Sequence, residues 1–298
     1  MKTDNAIGLL VRTLRKQIGY SQAELGDKLK SLSNGQWHIQ KPSNFISQVE
    51  RGLKRGLSLE ELFLFVKALE LTLQEQREFV LAAHGLTAWN QGISKASKRQ
   101  LLKQSRDFVQ QQLNPSYISD QYLNVLYANT AWLNLLDLPT DFSNQKLGDD
   151  IAYNLMMIVF ADSNEKQRDA LGEKKREILY HHIYSYRAYT MRYRHTQYYR
   201  NLHAELLKHQ EFEHYWKASF HRMPMISEST KSLTLNAYRH SFRDQEIAYV
   251  CHTSALLSPY GELYTTLYTP NDEDTIETFL ELRGETTFAL GAWASNEH

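Results

Sequence analysis

Residues 20–52 read YSQAELGDKLKSLSNGQWHIQKPSNFISQVERG, and the capping signals in this stretch mark out two short helices. Ser21 stands where an N-cap side chain accepts a backbone N–H, and Glu24, three residues on, completes a capping box. Ala23, Leu25 and Leu29 are placed to pack inward. After the polar turn SLSNGQWHIQ, Pro42 takes a first helical position, Phe45, Ile46 and Val49 supply the buried face, and Gly52 ends the helix. Upstream, Ile7, Leu10, Val11, Leu14 and Ile18 recur at three- and four-residue spacing, an amphipathic helix stopped by Gly19. Downstream, SLEELFLFVKALEL continues the helical pattern with Leu59, Leu62, Phe63, Val66 and Leu69 as its inward face.

The charge is uneven. The chain of 298 residues carries no formal net charge, yet residues 1–106 hold 17 Lys and Arg against 9 Asp and Glu, and the remainder holds 17 against 25. A basic front half is the electrostatic requirement for meeting a polyanion, although a solvated basic surface has the same composition. No run of eighteen apolar residues is present, and MKTDNAIGLLVRTLRK lacks the apolar core and cleavage site of a signal peptide, so a cytoplasmic protein off the membrane is expected. With Cys251 alone, an intramolecular disulfide and a four-cysteine zinc site are both excluded. Its setting, IAYVCHTSA, reads as a strand, which favours a small buried residue over a nucleophile.

SQAELGDKL, FISQVERG and SLEELFLFVKALEL together resemble the helix-turn-helix of Cro/repressor-type (XRE-like) regulators, over roughly residues 7–83. The resemblance implies double-stranded operator DNA as partner and a second helix whose N-terminal end reads the major groove; phage repressors of this type are the reference example for that geometry. By position, Ser43, Asn44 and Gln48 then face base edges, and Gln22 and Ser47 help hold the phosphates. Asn and Gln can bond bidentately to adenine, which suits the first role. Arg51, Lys54 and Arg55 add charge where a phosphate backbone runs, positioning without specifying. The family's turn has three or four residues, whereas about ten separate Lys30 from Lys41 here, including Trp37 and His38. A helical bundle without a DNA role is the competing reading.

A segment with five positive charges, Lys95, Lys98, Arg99, Lys103 and Arg106, follows as a linker helix or a solvated face. Then the pattern changes. NPSYISDQYLNVLYANTAWLNLLDL opens with a turn signal and alternates through Tyr122, Asn124 and Leu126. SLTLNAYRHSF, QEIAYVCHTSALL and GELYTTLYTP read as three further strands. Strands, helices and strands again argue for an α+β domain with an antiparallel sheet. NPSYISDQYLNVLYANTAWLNLL, NLMMIVFADS, EFEHYWKASFH and LYTTLYTPNDEDT are similar to the MmyB-like ligand-binding domain, a PAS-like sheet paired in that family with an N-terminal helix-turn-helix. The expected plan is therefore multidomain: an all-α helix-turn-helix domain at 1–90, a basic linker helix at 91–113, an α+β PAS-like domain at 114–283 and a tail at 284–298.

Residues 181–199, HHIYSYRAYTMRYRHTQYY, are the densest mixture of His, Tyr and Arg, within helices expected at 165–195, 197–208 and 211–221. No two of the seven nearby histidines are three or four residues apart, so no metal is expected, although His209 sits four residues from both Glu205 and Glu213. A second nucleic-acid site is disfavoured by the acidic surroundings. On a helix, Tyr180, Tyr184, Arg187, Met191 and Arg194 form one stripe, which fits either a Tyr-rich core with snorkelling arginines or the wall of a pocket. The family resemblance implies a fatty-acid-like or other apolar ligand, and the expected lining is Trp132, Leu136, Tyr180, Tyr184, Arg187, Met191, Arg194 and Tyr238. No cofactor is expected. Neither a nucleophile elbow nor a phosphate-binding glycine loop occurs, so an enzyme is not expected. The resulting expectation is a homodimeric DNA-binding transcription regulator with a ligand sensor; the alternative is a DNA-binding protein whose second domain only dimerises.

Overall fold

The structure, a computed structural model, describes residues 6–35, 40–54, 56–84, 103, 105–138, 154–169, 171–220, 237–242, 245–258, 261–283 and 288–289. Trp37, His38, Arg55, Lys95, Lys98 and Arg99 lie outside the described residues. The chain forms two compact units, each assembled from separate stretches: one from 1–91, 183–205 and 216–224, the other from 92–182, 206–215 and 225–298.

The first unit is helical. It contains α1 (Ala6–Ile18), α2 (Gln22–Leu32), α3 (Pro42–Glu50), α4 (Leu59–Ala68) and α5 (Leu73–Ala83). Three of these start with reciprocal capping boxes, Ser21 with Glu24, Ser58 with Glu61 and Thr72 with Glu75, each satisfying two backbone donors that a helix start leaves open. The expected faces are buried at Leu10, Val11, Leu14, Leu25, Leu29, Phe45, Ile46 and Val49, while Ala23 is exposed. On α4 the inward face is Leu62, Phe65, Val66 and Leu69; Leu59 and Phe63, expected inside, are 61% and 54% exposed. The period explains the difference, because Leu59 and Phe63 repeat by four residues on a neighbouring stripe of the helix. Gly26 lets α2 and α3 approach closely: a Cβ there would stand 2.8 Å from Pro42.

The same unit continues with the C-terminal part of α9 (Lys175–Thr190), a 3₁₀ turn (Met191–Tyr193) and most of α10 (Gln197–Leu206). Met191 is fully buried in one core with Leu10, Leu14 and Phe79. The helix expected over 165–195 is interrupted, since α8 (Glu165–Asp169) ends before Gly172, which adopts φ +54°, a left-handed conformation open to glycine.

The second unit holds a six-stranded antiparallel sheet. Its strands are β1 (Ser116–Asp120), β2 (Val125–Ala128), β3 (Ala237–Phe242), β4 (Gln245–Ser258), β5 (Gly261–Pro270) and β6 (Phe288–Ala289), in the order β3-β4-β5-β1-β2-β6. The alternation through Tyr122 and Asn124 proves to be a turn between β1 and β2. The Asp120 carboxylate accepts from the N–H groups of Tyr122 and Asn124 at 2.8 and 3.0 Å, an Asx turn that outcompetes the ladder. β6 extends the sheet beyond the last expected strand by pairing with β2. Helices α6 (Thr130–Leu135), α7 (Leu155–Phe160) and α12 (Glu273–Glu281) accompany the sheet, as does α11 (Gln210–Ala218) in part.

Candidate functional site

In the helical unit, α3 divides sharply between its faces. Phe45, Ile46 and Val49 are buried, Asn44 and Gln48 are exposed one turn apart, and Ser43 and Ser47 are half-buried beside them. Unlike α2, α4 and α5, α3 carries no side-chain cap; its N-cap residue is the exposed Lys41. The far end is anchored by Glu50, whose carboxylate accepts from Arg15 Nε at 2.6 Å, Arg15 Nη2 at 3.2 Å and Gln22 Nε2 at 2.8 Å. Gln22, expected to meet a phosphate, is thus engaged by Glu50. Arg51 is exposed, whereas Lys54 pairs with Glu61 at 2.9 Å and lies 5.2 Å from the centre of the Phe45 ring.

The second candidate is a buried aromatic cluster packed on the sheet. Asn129, buried at the N-cap of α6, accepts from the N–H groups of Ser116 and Trp132, both at 3.0 Å, and so ties β1 to the helix bearing the indole. Trp132 is fully buried; its ring centre lies 5.0 Å from that of Tyr117, and its Nε1 donates to the Tyr268 hydroxyl at 3.3 Å. Tyr268 stacks on Tyr249 at 4.9 Å and stands across the β4–β5 ladder from Cys251. Cys251 is half-buried, and desolvation pushes its thiol above the usual range against a smaller opposing pull from Tyr268, which disfavours the nucleophilic thiolate. Leu136 and Tyr180 are half-buried in this unit, and Tyr238 lies on β3.

The other four expected lining residues belong to the helical unit: Tyr184, Arg187, Met191 and Arg194. Both arginines are fully buried around Glu75. Glu75 Oε1 accepts from Arg187 Nε at 3.0 Å and Arg194 Nη2 at 2.6 Å; Oε2 accepts from Arg187 Nη2 at 2.8 Å and from the Thr72 N–H at 2.9 Å. Two guanidinium groups face one carboxylate, and neutral oxygens take the surplus charge. Arg187 Nη1 donates to the carbonyl and hydroxyl of Ser219 at 2.8 and 2.9 Å, and Arg194 donates to the Arg187 carbonyl at 2.7 Å and to Gln17 Oε1 at 3.2 Å. The Phe220 and Trp216 rings cover the two cations at 4.2 and 5.7 Å. Burial raises the Glu75 pKa, but Arg187 and Arg194 outweigh it and hold the carboxyl down at about 2.

Sequence reasoning missed Glu75, Tyr117, Tyr249 and Tyr268. For Glu75 one signal existed, the T-x-x-E capping box at Thr72, but a box gives no sign that its glutamate also binds two arginines. Among the described residues, no group of three or more His, Cys, Asp or Glu is placed to hold a metal ion, and no helix is long and apolar enough to cross a membrane.

A helical N-terminal region is followed by an antiparallel-sheet domain, and a family match makes that second domain the ligand-binding domain of a transcription regulator. The chain belongs to the family described as MmyB-like transcription regulator ligand binding domain, which matches residues 104–282. No curated protein matches the chain.

Proposed function

We propose that the chain is a sequence-specific DNA-binding transcription regulator, with an XRE-like helix-turn-helix in α2 and α3 and a sheet domain that takes an apolar, fatty-acid-like molecule. The observation that carries the DNA reading is the division of α3, which leaves Asn44 and Gln48 exposed while Phe45, Ile46 and Val49 anchor the helix. Ser43, Asn44 and Gln48 read base edges, Ser47 approaches the backbone, and Arg51 with Lys41 supplies phosphate contacts. Two copies reading two half-sites provide the dimer, and ligand shifts the population between arrangements of the two readers. The ligand lies against Trp132, Leu136 and Tyr268, and Arg187 and Arg194 hold the helical unit together.

Selection of genomic fragments by the full chain tests this. A recurrent motif is expected; equal retention of all sequences would remove the specificity claim. A second reading, a sheet domain without ligand, is favoured by the engagement of both arginines by Glu75, which leaves neither for an anionic ligand. Mass spectrometry of molecules released from denatured, freshly purified protein separates the two: a stoichiometric lipid supports the sensor, and repeated empty preparations support the scaffold.

A further inference from the structure

Residues 183–205 and 216–220 fall inside the ligand-binding-domain match, yet they pack in one compact unit with the N-terminal helices. The packing is a closed core. Met191 shares it with α1 and α5 residues, and the 3₁₀ turn that carries Met191 lies on α5. Gln17 of α1 donates to the Tyr199 hydroxyl at 3.0 Å and accepts from Arg194 at 3.2 Å, while Arg192 pairs with Glu78 of α5 at 2.5 Å. At the centre, the fully buried Glu75 carboxylate joins α5 to Arg187 and Arg194. In turn α1 packs on both α5 and α3.

We propose that the DNA-reading head is composite: residues 183–205 and 216–220 are structural members of it, and Glu75 is the positioning residue that locks them to the helices supporting α3. The family's ligand-binding segment thereby sets the stiffness of the DNA reader from within. The term DNA-reading rests on the function proposed above; the composite build does not. Breaking a buried ion cluster by removing one partner leaves uncompensated charge, so loss of the Glu75 charge opens the whole head.

Native-state hydrogen exchange on the full chain reads this directly. In the wild type, the slowest amides of α1 (Val11, Leu14), α5 (Phe79) and residues 183–205 (Arg187, Leu202) should share one opening free energy. Glu75→Gln should accelerate all of them together by roughly two to four orders of magnitude, with β-sheet amides such as Ile118 and Thr266 unchanged. Should Glu75→Gln fail to fold, Ser219→Ala removes one bond to Arg187 and should give the same pattern at smaller amplitude. Acceleration confined to 183–220, with α1 and α5 at wild-type rates, would overturn the proposal. If the wild-type chain binds no DNA, the function proposed above falls while the exchange rates still decide the composite build.

Discussion

Arg187 Nη2 lies 2.8 Å from Glu75 Oε2, a contact between fully buried groups 112 residues apart in the chain. With Arg194 Nη2 at 2.6 Å from the other carboxylate oxygen, it gives the Glu75 carboxylate two buried arginine partners besides the Thr72 N–H. Buried ion clusters contribute little net stability over an apolar replacement, but their disruption one member at a time is costly.

Glu75→Gln should therefore destabilise the helical unit by about 3–5 kcal/mol, whereas the triple replacement Glu75→Leu, Arg187→Met and Arg194→Met should cost far less than the sum of its parts. Urea unfolding followed by far-ultraviolet circular dichroism measures both. Additive losses in the triple variant would contradict a coupled cluster.

Acid should act on the same group. The Glu75 carboxyl is held at about 2 against an ordinary 4.5: burial raises it, and Arg187 and Arg194 more than reverse that. A depressed carboxylate contributes stability that is fully present above the unfolded value and is lost as pH falls through the folded value. The stability gap between wild type and Glu75→Gln should stay constant above pH 4.5 and close between 4.5 and 2. A gap already closing near neutral pH would assign the titration to another group.

Much of the head was legible from local chemistry. The Ser21–Glu24 box, the Pro42 start and the buried faces of α1, α2 and α3 follow from caps and a 3.6-residue period, and β3, β4 and β5 from period-two runs. The Arg187–Arg194 stripe was read as a pocket wall or as a core face with snorkelling arginines; that both guanidinium groups bury on Glu75 was not legible, because a contact over 112 residues leaves no periodic trace. Leu59 and Phe63 show the opposite limit, since an apolar residue at a permitted spacing can still lie on the stripe that faces out. In the sheet unit, Trp132 was singled out as a ligand-lining residue, while Tyr117 and Tyr268 meet it, and Tyr249 meets Tyr268, only through strand register.

Gly26→Ala should disturb the α2–α3 pairing, because the added Cβ meets the Pro42 backbone and ring at 2.8 Å. Overpacking of this kind costs about 1–3 kcal/mol. A lowered thermal midpoint with weakened DNA retention is the expected pair of results; an unchanged midpoint would show that α3 shifts freely.

Cys251, the sole cysteine, stands opposite Tyr268 and reports on the aromatic cluster. Its raised thiol pKa predicts that a disulfide reagent at pH 8 reacts at least about tenfold more slowly with native than with urea-unfolded chain. An acyl ligand bound against Tyr268 should slow it further. Equal native and unfolded rates would show that folding does not shield the thiol.

In the proposed regulator α3 reads DNA through Asn44 and Gln48. Footprinting on a fragment selected by the wild-type chain tests it, comparing wild type with Asn44→Ala/Gln48→Ala at fixed salt. Each lost base contact should cost about 1–3 kcal/mol, so the protected operator should vanish while circular dichroism and thermal midpoint stay at wild-type values. An unchanged footprint from the folded double variant would contradict the assignment of α3 as the recognition helix.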